Sequence, residues 1–552
     1  MTNAAIFMHP DGFDTGRPNL LGRHAAGESF LRGFIRHADV ERFYFWQSGG
    51  TDLAPLAAAV QRLAPTTKPT QWFAPGERQR LAEAGVVNLP GPHLNKEAWL
   101  RRPYGGAAYS VCGLTHTTAT ARTMDDISNF LIAPVEGHDA LICTSTAVRA
   151  SVEAQLEGVR DYFLTEYGAT RLRPEPLLAT IPLGVNADDF ATRPEHRKVW
   201  RQRLDIPEDA VVALYVGRFN IQEKMNPALM ALALERAVQD CGQPIYWVNA
   251  GWAGTDGEAA AYHDNTRALC PSVQYRTVDG RPPETRFTIW SVADFFISFS
   301  DNIQESFGLT PVEAMAAGLP CVVTDWDGYR DTVRDGEDGF RIDTAAPRPG
   351  DGFDFAYWHA NGWWSYTAYV GAAAQLTAID FAQATQAISA LATNPDLRRR
   401  LGAQAQARAR SVFDWSAVVP QYQALWAEQN ARRGALESAP PVMNDPFRPD
   451  PFRLYASYPT RHPAQDWRVT LSPGMTWPAA KAVLSSPLAT YGAINRPTVQ
   501  EVEQLLAWLE TRPEGGALSE VAELFPAGRR PAISRGVLWI ARFGVIELRP
   551  PA

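Results

Sequence analysis

The chain has 552 residues, 45% hydrophobic and 20% charged, with a formal net charge of −8 at pH 7. This is the ordinary composition of a water-soluble globular protein, and at about 150 residues per domain the length suggests three to four domains. The acidic balance leaves no overall basic footprint for nucleic acid, and no apolar run approaches the roughly 20 residues needed to span a bilayer, so membrane contact, if any, is expected to be peripheral. The five cysteines, Cys112, Cys143, Cys241, Cys270 and Cys321, are scattered without a CxxC pair. That pattern predicts reduced thiols in a cytoplasmic protein and argues against a zinc site. The opening MTNAAIFMHPDGFD has neither a basic region nor a long apolar stretch, so a signal peptide is not expected.

In chain order, strands are expected at AAIFMHP, VERFYFW, SVCGLTH and ALICTS, and helices at GESFLRGFIRHA, ERQRLAEAG, TARTMDDISNFL and TAVRASVEAQLEG. Short apolar runs alternating with amphipathic stretches of helical length are the signature of α/β layering. The Pro- and Asp-rich stretch IPLGVNADDFATRPEH reads as a linker. A second α/β half opens at VVALYVGRF, with further strands at PIYWVNAG, SVQYRTV, DFFISFS and PCVVTDW. Residues 343–366, DTAAPRPGDGFDFAYWHANGWWSY, read as one long loop, a feature that is often functional inside a compact domain. Helix returns at AQATQAISALA, LRRRLGAQAQARARSVF and WSAVVPQYQALWAEQNARR. Past the Pro-rich joint ESAPPVMNDPFRPDPF, three helices, TVQEVEQLLAWLE, LSEVAELF and AISRGVLWIARFG, lead to a short strand, VIEL. This is the pattern of a small, mostly helical, winged-helix-like domain. Positive and negative charges nearly balance there, which disfavours DNA binding. Docking a partner or self-association is the expected role.

The stretch ESFGLTPVEAMAAGLPCVVTDWDGYRDTV places Glu305 and Glu313 with seven residues between them, at a loop that enters a helix. In open α/β sheets, ligands bind outside the carboxyl ends of the strands, where loops meet helix N-termini. Carboxylates accept hydrogen bonds from vicinal hydroxyls, and backbone N–H groups near Phe307 and Gly308 are suited to an anion or a sugar oxygen. Gly308 lets the backbone approach closely.

This stretch resembles the donor-site signature of retaining glycosyltransferases of the GT4 family, which have the GT-B fold. That signature is a glutamate, Phe-Gly, a second glutamate after seven residues, and a helix ending in a small-x-Gly-x-Pro turn. The resemblance covers roughly residues 1–430 in order of elements and is strongest over 211–342. It implies an α/β architecture of two Rossmann-like domains facing a cleft, with an N-terminal acceptor domain at 1–190 and a nucleotide-sugar donor domain at 191–410. A helix at 411–435 would cross back to the first domain, and 436–552 would form an accessory domain. By the same resemblance Glu305 contacts the donor sugar hydroxyls, the backbone at Phe307, Gly308 and Leu309 meets sugar or phosphate, and Glu313 holds the ribose.

Arg218 and Lys224, in YVGRFNIQEKMNP, would neutralise the diphosphate leaving group, although the gap between them is one residue longer than the commonest family pattern. His116, in CGLTHTTAT, would face the donor sugar across the cleft as a hydrogen-bonding, positioning group. Gly22 and Arg23, in NLLGRHAAGESF, would lie near the phosphates, where this chain lacks the family's adjacent glycines. Asp327, Gly328 and Tyr329 stand where the family commonly has a double glycine, and no role is assigned to them. The resemblance further implies retention of anomeric configuration, with no metal or other cofactor, a UDP-sugar favoured over a GDP-sugar, and closure about residues 184–208. No carboxylate is clearly placed as a nucleophile on the acceptor side, which favours front-face substitution over a double displacement through two carboxylates. The acceptor would be a glycan, a glycolipid intermediate or a protein. Aromatics in 343–366 suit either stacking on sugar rings or packing on one another. Two rivals stand beside this reading: a phosphorylase or epimerase on the same fold, and a non-catalytic GT-B scaffold acting through its C-terminal domain.

Overall fold

The computed structural model describes residues 3–13, 22–436, 440–443, 445–492 and 496–551. The chain divides into two compact units, residues 1–443 and 444–552. The first unit holds two parallel sheets. One contains β1 (Ala5–Met8), β2 (Phe43–Gln47), β3 (Thr70–Phe73), β4 (Val86–Asn88), β5 (Ser110–Leu114), β6 (Ala140–Cys143) and β7 (Leu177–Thr180) in the order β3-β2-β1-β4-β5-β6-β7. The other contains β8 (Val211–Arg218), β9 (Ile245–Trp252), β10 (Gln274–Asp279), β11 (Phe295–Ser298), β12 (Cys321–Thr324) and β13 (Gly339–Ile342) in the order β10-β9-β8-β11-β12-β13.

Central strands such as ALIC, FFIS and CVVT are buried at every position. Helices cover both faces of such sheets, so each strand is a continuous apolar run. In both sheets the strand order reverses beside the first strand, between β1 and β4 and between β8 and β11. The crevice outside the carboxyl ends at such a reversal is where doubly wound sheets bind ligands. Two Rossmann-like halves are therefore present, as read from the sequence.

Several local expectations change. ERQRLAEAG forms a 3₁₀ helix, Arg78–Glu83, and TARTMDDISNFL divides into the α-helix Ala121–Ser128 and a 3₁₀ turn, Asn129–Leu131. Strands β3, β4, β7 and β13 and the helices Leu53–Leu63 and Leu94–Arg101 are additions to the sequence reading. The stretch 181–196 is not a loose linker: Ile181, Leu183, Val185, Ala187 and Phe190 are all buried. Residues 343–366 are not one loop, because they include the helix Phe353–Ala360 and the short strand β14 (Thr344–Ala345), which pairs antiparallel with β15 (Ala378–Ile379).

The helix Trp415–Gly434 returns to the first sheet. Its Val418, Tyr422 and Trp426 share a core with Leu31, Phe34 and Phe43, and the Gln429 amide donates to the carbonyls of Val111 and His138, both at 3.0 Å. Just before it, Val185 donates its N–H to Phe413 O at 2.8 Å and accepts from Trp415 N–H at 3.1 Å. Trp415 lies so close to Gly33 and Gly184 that a Cβ at either would overlap its ring.

Behind β5 and β6 sits a fully buried ion pair. The Arg101 guanidinium donates to Asp139 Oδ1 at 2.5 Å and Oδ2 at 2.8 Å, and to the Tyr109 carbonyl at 2.8 Å. Asp139 also accepts from the backbone N–H of Val111 at 2.8 Å and of Glu136 at 2.9 Å.

The second unit is helical, as expected, with the helices Val499–Glu510, Leu518–Glu523 and Arg530–Arg542. They pack on an antiparallel sheet of β16 (Arg468–Leu471), β17 (Gly516–Ala517) and β18 (Ile546–Arg549), ordered β17-β16-β18. The sequence reading found β18 alone. Val469, Leu505, Leu509, Val537 and Ile540 form its core.

Candidate functional site

Strand β8 is buried through Tyr215 and opens to solvent at its carboxyl end, at Val216, Gly217 and Arg218. A tight turn follows. The Asn220 side chain accepts from the N–H groups of Gln222 at 3.0 Å and Glu223 at 2.7 Å, and its carbonyl accepts from Lys224 N–H at 3.1 Å. This turn carries Lys224 to Glu305, where its ammonium donates to Oε2 at 2.5 Å. Arg218 stands 3.6 Å from the carboxylate of Glu223. The loop after β11 is laced to the same turn: Asn302 donates to the Gln222 carbonyl at 2.6 Å, and Gln304 donates to the Glu223 carbonyl.

Burial pushes the Glu305 carboxyl up, but the Lys224 ammonium and the Ser306 and Gly308 N–H groups outweigh it and hold the group below the usual glutamate range. Glu305 is therefore a carboxylate at neutral pH, free to accept further hydrogen bonds. Gly308 sits at φ +86°, and a Cβ there would overlap the Tyr329 ring. Gly308→Ala should therefore strain both backbone and packing, lowering unfolding free energy by about 1–3 kcal/mol in urea titration. An unchanged midpoint would show that the loop can shift freely. Phe307 is core, its ring 6.0 Å from that of Phe413. Leu309 opens the helix Leu309–Ala316, which carries Glu313 on its second turn.

Glu313 faces a different environment. Together with Leu309 and Arg286 it lines a cavity that Glu28 and Ser29 of the helix Gly22–His37 close from the other half. Burial pushes the Glu313 carboxyl up to about 7, against the pull of Arg286 and Lys224. Gly22 and Arg23 are the first two residues of the Gly22–His37 helix. Their side chains, like residues 14–21, lie outside the described residues.

The first half supplies the opposite lip. Ser306 donates its hydroxyl to the His116 carbonyl at 2.5 Å, and Thr144 donates to the Ser306 carbonyl at 3.3 Å. Ser145 donates to Asp327 Oδ1 at 3.3 Å, and Thr146 donates to Asp331 from its N–H at 2.6 Å and its hydroxyl at 2.8 Å. The loops after β5 and β6 thus meet the loops after β11 and β12. Of the residues singled out in the sequence, Lys224 and Glu305 touch, His116 joins them through its backbone, Arg218 flanks them through Glu223, and Glu313 stands apart in its own cavity.

Three acidic residues were not given roles by the sequence reading. Glu223 stands 3.6 Å from Arg218 and also accepts from the Thr367 hydroxyl at 2.5 Å. Burial and the Glu305 charge push Asp327 up to about 7, and its Oδ2 is buried without a partner. Asp327 also adopts φ +44°, consistent with its standing at a glycine position. Burial alone pushes Asp301, in the loop after β11, up to about 7. The signal available in the sequence was an acid between two cations and an aspartate in place of a glycine. Among the described residues, no group of three or more His, Cys, Asp or Glu side chains is placed to hold a metal ion, and no helix is long and apolar enough to cross a membrane.

The profile of the family described as "Glycosyl transferases group 1" matches residues 196–348. The chain is 30% identical over 191 residues to a D-inositol 3-phosphate glycosyltransferase from Nocardioides sp., covering 33% of this chain and 40% of that one. It is 28% identical over 186 residues to a lipopolysaccharide 1,2-N-acetylglucosaminetransferase from Salmonella typhimurium, covering 33% and 48%. The aligned region thus spans less than half the length of these curated relatives. Among solved structures, the HepE protein of Anabaena, crystallised with UDP and glucose, aligns with 78% of this chain and 100% of its own at 15% identity and a TM-score of 0.49. The resemblance to GT4-type glycosyltransferases is borne out over the matched residues.

Proposed function

From a chain that resembles the group 1 glycosyl transferases over residues 196–348, we propose a retaining, metal-independent glycosyltransferase that moves a sugar from a UDP-sugar to a hydroxyl acceptor in the cytoplasm. The observation that carries this reading is the Lys224–Glu305 pair, 2.5 Å apart at the strand-order reversal between β8 and β11, with Arg218 beside it. A nucleotide-sugar site needs cations for the diphosphate and a carboxylate for sugar hydroxyls, side by side. The pair supplies both and keeps Glu305 ionised.

In the proposed reaction the acceptor oxygen forms its bond to the anomeric carbon as the bond from that carbon to the diphosphate breaks, on the same face. The departing diphosphate takes the acceptor's proton. Arg218 and Lys224 stabilise the charge that develops on the leaving group, a fixed-cation contribution that needs no reorganisation during the step. Glu313 takes the ribose hydroxyls, the Gly308 and Leu309 backbone meets sugar or phosphate, His116 positions the sugar, and Gly22 and Arg23 lie near the phosphates. Residues 191–410 form the donor half and 1–190 the acceptor half. The relatives' names cite an inositol phosphate and a lipopolysaccharide, which supports a polyhydroxylated acceptor here.

A thermal-shift screen with UDP-, GDP- and ADP-sugars tests the reading, because a ligand that binds only the native state raises Tm by mass action. Stabilisation by one UDP-sugar is expected, and Glu313→Ala and Arg218→Ala should each abolish it. No shift with any donor, in a folded and monodisperse sample, would overturn the proposal and favour the scaffold reading.

A further inference from the structure

The helix Phe353–Ala360 buries none of its residues. Phe353, Tyr357 and Trp363 are 79%, 56% and 73% exposed. Phe353 and Tyr357 lie four residues apart and share a helix face. The Trp363 ring packs edge-on against Tyr357, with centroids 6.4 Å apart. Beneath them a second set of rings holds the element together: Trp364 meets Phe355 at 4.9 Å and Trp358 at 4.8 Å. The inner rings explain how the segment folds. They leave the outer three largely exposed, with only Tyr357 and Trp363 packed on each other, and a cluster of large exposed rings marks an interaction site.

The base of this element is tied to the candidate active site. The Tyr366 hydroxyl donates to Gln304 Oε1 at 2.8 Å and meets the Thr117 hydroxyl, one residue past His116. The Thr367 hydroxyl donates to Glu223. Trp363 thus stands three residues from a tyrosine that touches the loops after both β5 and β11. The charge of the segment narrows the occupant. Between residues 344 and 366 the sole Lys or Arg is Arg348, and it is paired with Asp351 at 3.2 Å. An anionic lipid surface or a polyanion needs a basic cluster, and this segment has none. Rigid amphipathic rings without charge suit the apolar face of a neutral sugar ring.

Resting on the transferase reading above, we propose that Phe353, Tyr357 and Trp363 form an aromatic platform that binds the acceptor, and that this acceptor is a neutral glycan whose pyranose rings stack on it. The platform holds the chain of sugars beside the cleft. The inner ring cluster holds it in one conformation, so little rotamer freedom is lost on binding.

The test uses the full chain and the variants Tyr357→Ala and Trp363→Ala, alone and together. Both side chains are exposed, so the variants are expected to keep the wild-type Tm. Binding is read on immobilised neutral oligosaccharides and, separately, by sedimentation with vesicles of phosphatidylcholine alone and of phosphatidylcholine with phosphatidylglycerol. Binding to at least one neutral glycan, weakened at least tenfold in the double variant with no sedimentation in any sample, is the expected result. Absence of glycan binding, or binding unchanged in the double variant, would overturn the proposal. Vesicle sedimentation lost in the double variant would overturn it in favour of a membrane contact. Stabilisation by a UDP-sugar, measured on the same samples, reports the donor site alone. If it persists while glycan binding fails, only the platform is refuted; if it is absent from the wild type, the transferase reading has failed.

Discussion

Replacing Lys224 with alanine is expected to lower kcat for sugar transfer by about 10²–10³-fold, the loss typical of one fixed group that stabilises developing negative charge. The structure adds a second signature. The Lys224 ammonium opposes the effect of burial on Glu305. Without it, the carboxyl rises toward the protonated form that burial favours, and the acidic limb of the pH–rate profile should move to higher pH. Lys224→Arg keeps the charge and should retain more activity than alanine. Steady-state rates over a pH series separate these outcomes. An unchanged kcat in Lys224→Ala would remove this residue from the leaving-group role, and an unshifted acidic limb would remove Glu305 from the rate-determining step.

The largest loss of stability is expected from Asp139→Ala. It leaves the Arg101 guanidinium fully buried without its counter-charge, a change that costs about 3–5 kcal/mol in unfolding free energy. Chemical denaturation at neutral pH measures it. Asp139 also holds two backbone N–H groups, so removing both charges in Arg101→Met/Asp139→Leu should recover only part of the loss. Full recovery would show that the backbone bonds contribute nothing. The pH dependence follows from the same contacts. Burial pushes the Asp139 carboxyl up, and the Arg101 guanidinium more than offsets it, holding the group below its usual range. A depressed carboxyl contributes stability above its unfolded-state range and loses it as pH falls through the folded value. The wild type should therefore destabilise on acidification more steeply than Asp139→Ala.

What could be read in the sequence follows from burial. FFIS and CVVT are buried on both faces and have the uninterrupted apolar runs that such strands require. TQWF is half exposed and VVN has only three residues, so β3 and β4 carry too little pattern to stand out. The helix Phe353–Ala360 was hidden by the Gly and Pro residues just before it, and no apolar stripe revealed it because it faces no core. At the site, the spacing of Glu305 and Glu313 singled out the loop and helix that lie at the strand-order reversal. Which cation meets which carboxylate was not legible. Lys224 reaches Glu305 through a turn set by the Asn220 side chain, and Glu223 and Asp327 gain their surroundings from segments distant in the chain.

The ladder at Val185 limits how the two halves can move. The polypeptide passes between them near Val185 and again near Asp414, and these passages are bridged to each other. Two crossings joined side by side act as a single axle. Sliding one half over the other would shear the bridge and drag the Trp415 ring from between Gly33 and Gly184, so swinging about that line is the degree of freedom that leaves it whole. The contacts of Ser306 with the His116 carbonyl, Ser145 with Asp327 and Thr146 with Asp331 join the halves at the lips, so any widening of the mouth would first have to break them.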